Sequence, residues 1–90
     1  MAEGLSERVL GELLARADAK ATEGRVEESI ELYQQAVGHD PLLESAHRAL
    51  ISLHLIQGDR AAAIRQYDAL TASLADLGSL PSPQTTALLY

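Results

Sequence analysis

The side chains best suited to chemistry in this sequence are three histidines, a cluster of glutamates and scattered serines and aspartates. There is no cysteine among the 90 residues, so disulfide frameworks, thiolate zinc sites and thiol nucleophiles are excluded. His47 and His54 stand seven residues apart. On a helix they share a face but lie two turns, roughly 10 Å, apart along the axis. That is too far for one ion without a third element between them. No His-x-x-x-His pair occurs, and His39 falls in a turn, so packing or a solvated surface is expected for all three and no metal site. Ser, His and Asp are present without a Gly-x-Ser-x-Gly elbow to expose a nucleophile. Glu27, Glu28 and Glu31 read as the solvated side of a helix. The glycines are dispersed and form no phosphate-binding loop. No catalytic residue and no cofactor are expected, and the chain reads as a non-enzyme.

The elements that carry these residues explain the composition. Alanine and leucine supply about a third of the chain, Phe and Trp are absent, and three Tyr are the only aromatics. Such a mixture favours packed helices over a β-sandwich. Seven Lys and Arg face thirteen Asp and Glu, a formal charge of −6. This balance argues against nucleic acid binding by this segment, which would need clustered cations. No apolar run approaches the roughly 18 residues of a membrane span. Met1 to Ser6 lacks the pattern of a signal peptide. The expected location is cytoplasmic, without membrane contact. A chain this short buries only about 60% of its unfolded surface, which makes an oligomer or flanking sequence plausible partners in its stability.

Gly24, Asp40-Pro41, Gly58-Asp59 and Leu80-Pro81-Ser82-Pro83 punctuate the chain. Between them apolar residues recur at helical spacing. The pattern predicts a single helical repeat domain over residues 1–90, with helices at 6–23, 25–38, 42–57, 60–77 and 83–90. Gly24 and Gly58 suit the left-handed position that ends a helix. Asp59 suits the N-cap of the fourth helix. Ser82 followed by Pro83 reads as N-cap and first residue of the last.

The chain also repeats itself. A shift of 34 residues places Gly24 on Gly58, Ile30 on Ile64 and Tyr33 on Tyr67. It also places Ser29 on Ala63 and Ala36 on Leu70. A helix–turn–helix unit of this period resembles the tetratricopeptide repeat. Gly24, Ser29, Tyr33, Ala36 and Pro41 fit the order of that family's turn glycine, small residue, aromatic, alanine and proline. The second copy offers Gly58, Ala63, Tyr67 and Leu70 but no Pro, since its second helix runs on. Leu13 and His47 fill the position where the family often has Trp, and Arg16 stands where the second copy has Leu50. The implied fold is all-α: a right-handed stack of two helix-turn-helix hairpins plus a short C-terminal helix. Small residues such as Ala17, Ser29 and Ala63 would let helices approach closely, and Tyr33 and Tyr67 would fill the space between hairpins.

A narrower resemblance rests on Asp40 to Leu50, on Gly58 to Asp68, and on Leu77-Gly78 followed by Pro81-Ser82-Pro83-Gln84-Thr85-Thr86-Ala87-Leu88. Together these are similar to the bacterial transcriptional activator domain, found in regulators often of antibiotic synthesis and in larger signalling proteins. Gln84 and Thr86 depart from that family's acid and Arg, so the final turn loses a charge pair. The family's domain normally has further helices before this segment, and many members carry a winged helix before those. The resemblance thus implies a piece of a larger protein that contacts a protein partner or neighbouring domains of its own chain.

In tetratricopeptide stacks the first helix of each hairpin lines the concave face. Carried over by register, Leu14, Asp18 and Ala21 face that groove in the first copy, and Arg48, Ser52, Leu55 and Ile56 in the second. Packing is the competing role for Leu55 and Ile56, and an i, i+4 pair with Glu44 for Arg48. The expected function is protein–protein docking within a bacterial transcriptional regulator. The alternatives are a self-association module forming a homodimer, or a coupling segment of a larger signalling protein.

Overall fold

A computed structural model of the chain describes residues 2–90, with side chains from Glu7 onward. The elements are α1 (Ala2–Thr22), α2 (Val26–His39), α3 (Glu44–Ile56), α4 (Arg60–Ala75) and the single turn α5 (Pro83–Thr86). The fold is all-α. α1 packs on α2 and α3 on α4 as two hairpins, and α2 on α3 joins them. The molecule measures 40 × 36 × 17 Å. Its thin dimension is that of two helix layers, whose axes typically lie 8–10 Å apart.

The helix ends follow from local chemistry. Gly24, Gly58 and Gly78 adopt φ of +81°, +77° and +70°. Behind each, the next amide reaches back over the last turn: Arg25 N–H donates to the Lys20 carbonyl (2.8 Å), Asp59 N–H to His54 (2.9 Å) and Ser79 N–H to Leu74 (3.0 Å). These are the bonds of a left-handed helix stop. A Cβ at Gly58 would meet nothing within 4 Å, so the cost of Gly58→Ala is conformational alone. It should destabilise the chain by about 1–2 kcal/mol in thermal or urea unfolding. Asp59 caps α4, its carboxylate accepting from Ala62 N–H at 3.0 Å. Ser82 caps α5 in the same way, accepting from Thr85 N–H, with Pro83 in the first turn.

Some bounds differ from the sequence reading. α1 begins at Ala2 and not at residue 6. α3 begins at Glu44 because Asp40 to Leu43 form a turn, in which the Asp40 carboxylate accepts from Leu42 N–H at 3.1 Å. α4 ends at Ala75, two residues before the expected 77, where the Gly78 stop takes over. The last helix does not run to residue 90. After Thr86 the bonding is mixed: Leu88 N–H donates to Thr85 and Leu89 N–H to Thr86, both at 3.1 Å, while Tyr90 N–H returns to Thr86 at 2.9 Å. Leu89 in this segment is buried.

Two apolar clusters hold the stack. The larger joins Leu13 and Ala17 of α1 to Ile30, Leu32, Tyr33 and Ala36 of α2 and to Ala46, Leu50 and Leu53 of α3. The smaller joins Ile51, Ala63 and Leu89, with Leu55, Ile64, Tyr67 and Leu88 packed against it. The repeat register is visible in the burial. Ser29 and Ala63 are both fully buried, as are Ala36 and Leu70. Ser29 shows why a small residue is needed: its hydroxyl donates to the Ala17 carbonyl at 2.7 Å, across the first hairpin. The copies part at Arg16 and Leu50, the first exposed and the second fully buried.

Candidate functional site

Arg48, Ser52 and Ile56 recur every fourth residue along α3 and so form one stripe. Arg48 and Ser52 are half-buried, and Ile56, at the end of the stripe, is 70% exposed. Leu55 is half-buried against the smaller cluster, which gives it a packing role. On α1, Leu14 and Ala21 are half-buried against the larger cluster. Asp18 between them is exposed. Its charge reaches Tyr33: burial, and then the Asp18 carboxylate, push the Tyr33 hydroxyl above its ordinary pKa. Of the seven residues chosen by register, Asp18, Arg48, Ser52 and Ile56 present accessible polar or apolar groups. Leu14 and Ala21 pack against the larger cluster and Leu55 against the smaller.

The histidines divide by environment. His47, equivalent to Leu13 in the first copy, is buried at 1% exposure. Its Nε2–H donates to the Pro41 carbonyl at 2.8 Å. A carbonyl only accepts, so that proton fixes the tautomer, and Nδ1 accepts from the Gln66 amide at 2.8 Å. His47 thus ties the α2–α3 turn to α4. His39 is exposed at the end of α2. Among the described residues no group of His, Asp and Glu is gathered for a metal ion.

The most elaborate polar constellation was not expected. Glu44, in the first turn of α3, holds the C-terminal segment. One carboxylate oxygen accepts from Ser82 N–H at 2.7 Å and from the Thr85 hydroxyl at 2.6 Å. Thr85 is fully buried. Two further ties flank this one. The Arg60 guanidinium donates to the Leu89 carbonyl at 2.9 Å. The Tyr67 and Thr86 hydroxyls share a hydrogen bond of 2.8 Å. The Tyr67 ring also meets Tyr90 edge-on, with centroids 5.6 Å apart. Burial pushes the Glu44 carboxyl up, but the bonds from Ser82 and Thr85, and then the Arg48 charge, outweigh it and hold the group below the usual carboxylate range. The expected Glu44–Arg48 ion pair does not form. Among the described residues the ion pairs are those of Arg25 with Glu23 and Glu28. The Glu44 carboxylate's hydrogen bonds go to the Ser82 amide and the Thr85 hydroxyl instead. The final turn is fastened by the Glu44 carboxylate, the Arg60 guanidinium and the Tyr67 hydroxyl, with Thr85 and Thr86 supplying hydroxyl partners.

This arrangement defines a helical-repeat module of the tetratricopeptide kind, closed at one end by its own C-terminal turn. Over residues 1–89 the chain matches the family model of the bacterial transcriptional activator domain. It belongs to that family and is therefore a domain of a transcriptional activator. No curated protein and no solved structure gave a match. Among the described residues, no helix is long and apolar enough to cross a membrane.

Proposed function

We propose that this domain is the protein-docking module of a cytoplasmic bacterial transcriptional regulator. It engages a partner protein, or a neighbouring domain of the same chain, through the face shared by α1 and α3. Its mechanism is non-covalent, and DNA contact belongs to other parts of the regulator. The observation that carries this reading is Ile56, a large apolar side chain left 70% exposed at the end of a stripe with Arg48 and Ser52. An aliphatic anchor beside a cation and a hydroxyl suits an apolar helix or extended peptide bearing an acidic group. Asp18, on α1, would favour a cation elsewhere on the same partner.

The test is Arg48→Glu combined with Ile56→Asp. Leu55 is left intact because it packs against the core. Binding to the regulator's remaining domains, supplied as a separate chain, should weaken by roughly tenfold or more, as removal of a central anchor and a paired charge does. Far-UV circular dichroism should not change. Unchanged binding would move the docking surface elsewhere. Light scattering on the same samples separates docking from self-association: a mass that doubles with concentration, and is restored to the monomer by these two substitutions, would assign the face to a homodimer.

A further inference from the structure

A second surface lies at the C-terminal ends of α2 and α4. Pro41 and Leu42, just past the end of α2, and Ser73, Asp76 and Leu77, at the end of α4, line an open groove of about 380 Å³. Its apolar walls are exposed: Leu42 at 43% and Leu77 at 63%. Leu80, three residues further on, is 81% exposed. Nothing in the fold requires these leucines to face water, since the clusters that hold the helices are complete without them.

The groove lining carries one charged side chain, the carboxylate of Asp76, and His39 is the basic side chain in the last turn of α2. Two helices end here, and each brings the negative pole of its backbone dipole, equivalent to about half an elementary charge. Asp76 adds an exposed carboxylate at the rim and makes no ion pair among the described residues. Asp40 stands beside Pro41. The one opposing pole is the N-terminus of α3, which the Glu44 carboxylate offsets in its own first turn. No Lys or Arg lines the groove. Every Lys and Arg of the chain occurs at or before Arg65, and only Asp68 and Asp76 carry charge after it.

We infer that this groove docks a basic amphipathic segment of a partner protein: an aliphatic side chain seated between Leu42 and Leu77, with a flanking Lys or Arg over Asp76 and the two helix ends. The surface is separate from the α1–α3 face, so the two can be occupied and tested independently.

The probe is an Ala-rich helical peptide with Leu at i and i+4 flanked by lysines, compared with its twin carrying Glu for every Lys. Both are titrated into the intact 90-residue chain at low and high salt, followed by amide chemical shifts. The Lys peptide should bind more tightly than the Glu twin, lose affinity with salt, and shift the amides of Leu42, Ser73 and Leu77. Asp76→Lys should reverse the preference between the twins. Leu77→Ser should weaken the Lys peptide by roughly tenfold, the scale of losing one apolar anchor. Both positions are exposed, so folding is spared, and circular dichroism verifies this. The Arg48→Glu, Ile56→Asp variant should bind the Lys peptide as the parent does. Equal binding of the twins, shifts centred elsewhere, or indifference to Asp76→Lys would overturn the inference. So would a concentration-dependent dimer that Leu77→Ser alone dissolves, which would give the groove to a second copy.

Discussion

Leu50→Ala should lower the stability of this domain by about 2–5 kcal/mol, the range for deleting a fully buried leucine and leaving a cavity. Leu50 is completely buried, where α3 meets α2 and α1 in the larger cluster. A domain of this size has a total stability of roughly 5–15 kcal/mol, so the variant forfeits a large share of it. The repeat supplies an internal control. Arg16 occupies the equivalent place in the first hairpin and is exposed, so Arg16→Ala should stay within about 0.5 kcal/mol of the parent. Urea unfolding measures both, with an unchanged slope showing that the denatured state is unaffected. A loss below about 1 kcal/mol at Leu50 would mean that the hairpins do not meet there.

Glu44→Ala should be the most damaging change at a polar position. It removes the acceptor from Ser82 N–H and from the fully buried Thr85 hydroxyl at once. Hydrogen bonds to a charged group contribute roughly 1.5–3 kcal/mol, and a buried donor left unpaired adds its desolvation cost. The same carboxylate makes stability depend on pH. Its pKa is lowered on folding, so the unfolded chain takes up the proton first as pH falls. The contribution of Glu44 is therefore fully present above the unfolded carboxylate value of about 4.3. It is lost as pH falls from there through the lower folded value. Glu44→Gln should remove this component, so that parent and variant differ at neutral pH and converge in acid. A gap between them that stayed constant across the acid range would show that the carboxylate's charge is not what fastens the segment.

Much of the fold is legible in the sequence because it is local. Glycine at a helix stop, Asp59 at an N-cap and Ser82-Pro83 at a helix start each act on the few residues beside them. The 34-residue shift adds the pairing of hairpins, since it marks where small side chains and tyrosines must meet a neighbour. The last helix is shorter than its composition suggests: it ends at Thr86, and Leu89 beyond it is buried in the smaller cluster. The choice between Leu55 and Ile56 was not legible either. Adjacent residues on a helix differ by about 100° in direction, and only the placement of Leu89 decides which of them is covered. The Glu44 clamp left one visible trace, an N-cap at Ser82. Its acceptor lies 38 residues earlier, in the first turn of α3, and no spacing rule connects them. The groove was hidden for a similar reason: Leu42 and Leu77 stand at the expected ends of two helices, and the sequence does not show that those ends lie side by side.

The range of these contacts also orders the assembly of the molecule in time. The principal packings join helices that are adjacent in the chain, and chains built from such near contacts fold in microseconds to milliseconds. The ties from Glu44, Arg60 and Tyr67 to the C-terminal segment span 19 to 41 residues. Closing those longer loops costs more chain entropy before any bond is gained. Nor do the donors and acceptors stand in place until α3 and α4 have already met. The C-terminal turn is therefore expected to settle last and let go first, and both the three polar ties and the burial of Leu89 in the smaller cluster must be lost for it to do so.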